Sequence, residues 1–214
     1  MGKTFKRRAQ QIFMFIVIAA LLLFPVDAHA QLKGGVAKMD ITDYQAGLDN
    51  DPLYVKALAL DDGTTKMVII TLDVVAIAEI GSIKNDYLEK VRSQIQKELG
   101  ISPSNILINV SHCHGRVCED VEKRTVQAAR EANRNLVRVN VGVGSGHENR
   151  IMENRRFWMQ DGSQTHVRRA YSLPPDNEIA AVGPIDPEIG IIRFDRKDGS
   201  TLAVIYNFAV HPIE

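Results

Sequence analysis

Asn109-Val110-Ser111-His112-Cys113-His114-Gly115 holds the densest potential chemistry in the chain. It follows an apolar run, Asn105 to Val110, composed like a buried strand. Two imidazoles two residues apart on extended backbone point to one face. Where such a strand ends and the chain turns at Gly115, His112 and His114 can hold a metal ion or face a substrate. The same spacing also suits a hydrogen-bonded pair with no further role. His211 ends a second apolar run, Leu202 to Val210. Two strands that each end in histidine place one polar site at one rim of a sheet.

Neutral imidazole is a common ligand of zinc, whose catalytic sites use three protein ligands and keep a fourth position open. His112 and His211 would bring two such ligands from distant segments. Asp73 sits inside the most apolar run, Lys66 to Val75, where a carboxylate needs a partner. It serves either as a local backbone acceptor or as outer support that orients a metal-bound histidine. Gly115-Arg116-Val117 stands where a metallo-β-lactamase signature would place Asp-His, and at least three strands precede the pair, unlike an amidohydrolase barrel. No Gly-x-Ser-x-Gly elbow occurs.

Weaker signals leave their alternatives open. Cys113 and Cys118 are the chain's two cysteines: partly buried thiols, a short disulfide or metal ligands. Gly142-Val143-Gly144-Ser145-Gly146 lacks the Lys-Ser/Thr of a phosphate-binding loop and suits a bend or tight packing. Arg150, Arg155, Arg156, Arg168 and Arg169 surround Phe157-Trp158-Met159, a composition for a lipid head-group surface or for a solvated loop with ion pairs. Asn109-Val110-Ser111 matches a glycosylation sequon but falls in a segment expected to be buried.

The elements that must position these residues follow from periodicity. Gly34–Thr42 and Leu53–Leu60 are predicted strands, the second joined to Lys66–Val75 by a hairpin at Asp62-Gly63. Lys66–Val75 is apolar and β-branched enough for burial on both faces. Ser82–Leu99 repeats apolar residues at helical spacing, with Ser82 as N-cap and Gly100 at the C-terminus. Asn105–Ser111 is the next strand, giving a βαβ unit with parallel strands. Glu119–Asn133 is a second helix, and Leu136–Val143 a strand. Residues 144–185 are expected as a long surface excursion, before a last hairpin, Glu188–Arg193 with Thr201–Val210, across Asp198-Gly199. The order predicts an α/β or α+β fold with a mixed β-sheet layered with helices.

Residues 1–30 have the make-up of a secretory signal. Lys3, Lys6, Arg7 and Arg8 precede the apolar run Ile12–Phe24, and Ala28-His29-Ala30 is a small-x-small cleavage site. The mature chain, 31–214, is then expected to be secreted or periplasmic. That segment holds four of the 26 basic and one of the 26 acidic residues, so the remainder is slightly acidic and offers no basic footprint for nucleic acid.

Several pieces in order carry a family resemblance. They are Gly35-Val36-Ala37-Lys38-Met39-Asp40-Ile41-Thr42, Asp51-Pro52-Leu53-Tyr54, Ile70-Thr71-Leu72-Asp73, Ser111-His112-Cys113-His114, Asn154-Arg155-Arg156-Phe157, Gly183-Pro184-Ile185-Asp186-Pro187-Glu188 and Asn207-Phe208-Ala209-Val210-His211-Pro212. Together they resemble the N-terminal domain of the neutral/alkaline non-lysosomal ceramidase family, in particular secreted bacterial relatives. The resemblance implies a zinc amidase that hydrolyses ceramide to sphingosine and a fatty acid. It maps zinc ligands onto His112 and His211, and a substrate-facing proton carrier onto His114. The family's remaining glutamate and tyrosine ligands and its amide-contacting serine would follow residue 214, making 31–214 an N-terminal portion of a catalytic domain. Cys113 replaces the family's threonine, and Gly115-Arg116-Val117 replaces Ser-Gly-Pro. These departures keep open another ester or amide substrate, or a secreted relative that binds lipid or another ligand without turnover.

Overall fold

The computed structural model describes residues 31–47, 51–167 and 172–211. The signal segment expected over residues 1–30 lies outside them, as do Arg168 and Arg169.

The β-branched runs pair as their patterns predict. Strands β1 (Lys33–Asp40), β2 (Tyr54–Asp61) and β3 (Lys66–Leu72) form an antiparallel meander, with β2 and β3 joined through Asp62-Gly63. There the Asp62 side chain accepts the Thr64 and Thr65 amides, and Gly63 adopts a positive φ of 91° that suits glycine. Helix α1 (Tyr87–Leu99) then crosses to β4 (Ile106–Val110), which lies parallel to β3 with Ile70 opposite Ile108. Helix α2 (Val121–Arg134) leads into β5 (Val137–His147), and β9 (Glu188–Arg196) and β10 (Thr201–Phe208) form the final hairpin. The seven-stranded sheet runs β10-β9-β5-β1-β2-β3-β4, so the fold is a mixed α+β layer.

Helices α1 and α2 cover one face. Val55, Ala57, Val68, Ile70, Leu72, Ile106 and Ile108 meet Tyr87, Val91, Ile95, Val126 and Ala129 in the main core. Gly35 makes this contact possible: a Cβ there would stand 2.1 Å from the Ala132 carbonyl oxygen, at the end of α2. A smaller cluster, with Leu58, Val139 and Phe194 at its centre, unites β2 with β5 and β9. The strand β3 is not buried on both faces as predicted. Val68, Ile70 and Leu72 are fully enclosed, whereas Met67, Ile69 and Thr71, which alternate with them, are only half-buried. β4 alternates in the same way and leaves Asn109 of the sequon exposed, against its expected burial.

Two further expectations change. Helix α1 starts at Tyr87 rather than Ser82; the Ser82 hydroxyl donates to the Val117 carbonyl instead of capping. Residues 144–185 are no plain excursion. β5 extends to His147, and β6 (Arg156–Met159), β7 (Gln164–His166) and β8 (Ile179–Val182) make a second, three-stranded sheet. Among the described residues β10 is the outermost strand of the large sheet, and Thr201–Phe208 contains neither charge nor proline.

Candidate functional site

The chain leaving β3 and the chain leaving β4 run side by side. Ser111 donates its amide to the Leu72 carbonyl, one step beyond the parallel ladder. The next residue, His112, adopts φ 60°, a left-handed conformation unusual for a side chain larger than glycine. The extended geometry expected through the two histidines is therefore broken at the first of them. The turn is held in place from outside. Thr42 bridges to Val117, and the amides of Cys118 and Asp43 donate to the carbonyls of Ile41 and Arg116. Gly115 lies so close to Leu53 that a Cβ would sit 2.6 Å from its Cδ1.

His112 is half-buried, and its Nδ1 lies 2.8 Å from the Val75 carbonyl oxygen. A carbonyl can only accept, so Nδ1 is the donor, and in a neutral ring Nε2 is left with the lone pair a ligand needs. The ring of His114 stands edge-on to that of His112 at 5.1 Å between centroids. The ring of His211, arriving from the end of β10, stands 4.8 Å from His112 on a similar edge-on footing. Three imidazoles thus meet at one rim. Among the described residues, no set of three or more His, Cys, Asp or Glu side chains has the geometry to hold a metal ion.

Asp73 does not reach a histidine ring. Its carboxylate accepts the Tyr54 amide at 3.0 Å and the Ser111 hydroxyl at 3.0 Å, and pairs with Lys56 at 3.2 Å. It fastens the ends of β2, β3 and β4 directly below His112, while the ring itself is oriented by Val75. Cys113 and Cys118 are free thiols. Burial, and then a hydrogen bond to Asp120, push the Cys118 thiol up to about 11.

Beside His211 opens a cavity of 650 Å³. Residues 150–155 and 184–186 form its walls, with Phe157 and Val167 buried beneath. Asn154 joins the walls: its Nδ2 donates to the Pro184 carbonyl at 2.7 Å and its Oδ1 accepts the Arg156 amide at 2.9 Å. Gly183 packs flat against that side chain, where a Cβ would approach it to 2.6 Å. His112 and His114 are not part of this lining; His211 links the cavity to the imidazole cluster. Phe157, which the sequence sets among the arginines with Trp158 and Met159, is a buried floor residue.

With this geometry the chain can be set beside solved structures. The fold matches that of ceramidases. A structure titled "Ceramidase complexed with C2" superposes with a TM-score of 0.56 at 16% identity, covering 85% of this chain and 31% of that one. Neutral ceramidase from Pseudomonas aeruginosa gives the same TM-score and identity, over 85% of this chain and 32% of that one. The chain therefore spans about a third of the length of these neighbours. No family model matches the sequence, and no curated protein matches it.

Sequence reasoning placed His112, His114 and His211 at one rim, as the structure does, and singled out Asp73 for one of two roles, of which the backbone acceptor is the one present. It missed Val75, whose contribution is a backbone carbonyl, and it missed the cavity. Asn154 and Gly183 were both in the quoted motifs, but nothing in sequence signals that they touch.

Proposed function

We propose that the chain is the N-terminal portion of a zinc-dependent amide hydrolase of the ceramidase type, acting outside the cytoplasm. The approach of His211 to His112, within 4.8 Å across widely separated segments, carries this reading. The fold likeness to ceramidases supports it. The donor chemistry fits zinc: imidazole nitrogens, one of them with its Nδ1 committed to a backbone acceptor, the usual way a metal-binding histidine is oriented.

His112 and His211 would hold the ion, and residues other than the described ones would complete its coordination. When bound, zinc supplies Lewis-acid polarisation of a carbonyl and a lowered pKa for water, to about 7. The chain's own residues do the rest. Val75 orients the His112 ring, the turn pinned by Thr42 and Leu53 carries both histidines, and exposed His114 would accept and return a proton. The cavity beside His211 accommodates the acyl part of a ceramide-like lipid or another amide.

The test is metal content and turnover of the complete protein. Zinc measured by mass spectrometry should fall at least tenfold in His112→Ala and in His211→Ala, and cleavage of a fluorescent ceramide should stop with chelator. Unchanged zinc in both variants, or cleavage insensitive to chelator, refutes the proposal. Zinc-dependent cleavage of other amides with no action on ceramide would keep the mechanism and replace the substrate.

A further inference from the structure

The cavity beside His211 has two chemical characters. Its outer walls are aliphatic: Ile151, Leu173 and Ile185 are 69%, 53% and 38% exposed. Its floor is Phe157 and Val167, both buried. Apolar side chains left open around a concave surface favour an apolar chain.

Two arginines are also among its lining residues, and they differ. Arg150 is already neutralised: it makes hydrogen bonds to both carboxylate oxygens of Glu148, which also lowers the Glu148 pKa. Arg155 is half-buried in the lining, and no carboxylate pairs with it among the described residues. The two acids of the lining do not take that role. Asp186 is exposed and accepts the Glu188 amide, and Glu153 is exposed. A half-buried guanidinium without an anion is poised for a bidentate carboxylate.

We propose that this cavity selects fatty amides that carry a carboxylate, the N-acyl amino acids, with the acyl chain on the Ile151, Leu173 and Ile185 walls and the carboxylate on Arg155. This rests on the amide-hydrolase reading and specifies its substrate class. The amide of such a molecule lies between chain and carboxylate. Holding both ends therefore fixes the amide between them, in the cavity that His211 also lines. A free fatty acid shares the acyl chain and the carboxylate but has no amide, so the test must separate the two.

The experiment is binding by calorimetry, in chelator and below micelle formation, of N-decanoylglycine, its neutral counterpart N-decanoylethanolamine, and decanoate. N-decanoylglycine should bind at least tenfold more tightly than the ethanolamide and more tightly than decanoate. Arg155→Gln should erase the preference and keep ethanolamide binding, which shows that the variant is folded. Arg150→Gln should keep the preference. Equal affinities, a preference that survives Arg155→Gln, no binding of either amide, or decanoate binding as tightly as the acylglycine would each overturn the proposal. Because no metal is present, this result is independent of zinc. Ceramide cleavage without a carboxylate preference would sink this inference and leave the hydrolase standing.

Discussion

The hydroxyl of Ser111 donates to the carboxylate of Asp73 at 3.0 Å, tying the last residue before His112 to the end of the neighbouring parallel strand. The histidine turn thus rests on an anchored strand end rather than on a loop.

Removing that anchor should be felt in stability. Asp73→Ala deprives the Tyr54 amide and the Ser111 hydroxyl of their acceptor and should cost about 2 kcal/mol in urea unfolding. Little of this comes from Lys56, whose side chain is 53% exposed. Asp73→Asn, which can still accept from Tyr54, should recover roughly half. An alanine variant indistinguishable from the parent would show that the clamp carries no load.

Gly35→Ala tests the layer between helix and sheet. The new methyl group would meet the Ala132 carbonyl oxygen at 2.1 Å and backbone atoms of Asn135 and Leu136 within 3 Å. Backbone cannot swing aside as a flexible side chain can, so the end of α2 must lift from β1. The expected cost is about 3 kcal/mol, read as a lower urea midpoint. The Asn135 side chain, which donates to the Val36 carbonyl at 3.1 Å, should lose that bond in the variant.

Cys118 should be a slow thiol. With its pKa pushed up to about 11, chiefly by burial, it should react with iodoacetamide at pH 8 on the order of 100-fold more slowly than a free cysteine. Peptide mass mapping over time measures this. The sign for stability follows: the folded thiol keeps its proton where the unfolded one has lost it. Stability should therefore fall as the pH rises from about 9 towards 11. Alkylation at the rate of a model thiol would contradict the burial.

What sequence could reveal depended on how local its cause was. The Asp62-Gly63 hairpin and the helix end at Gly100, with φ 69° and its amide on the Gln96 carbonyl, follow from neighbouring residues, and the parallel β3–β4 pair follows from the strand-helix-strand order. The second sheet was not legible because β6, β7 and β8 have four, three and four residues, too few to show a period. Ser82 looked like a helix cap by type, but the Val117 carbonyl, far along the chain, took its hydroxyl. At the site, histidines at the ends of two apolar runs located the rim. The left-handed turn at His112 and its Val75 partner are set by tertiary contacts that leave no mark on residue type.

The uncharged border formed by Thr201–Phe208 has a practical consequence for anyone handling this chain. Val204 and Tyr206, 51% and 72% exposed, stand on a strand with no lysine or proline to deter a stacking neighbour. Concentrated preparations of residues 1–214 alone should therefore deteriorate by edge-to-edge growth into thioflavin-positive fibrils that begin at this border. The limit on shelf life lies there, and a single lysine in place of Val204 should extend it.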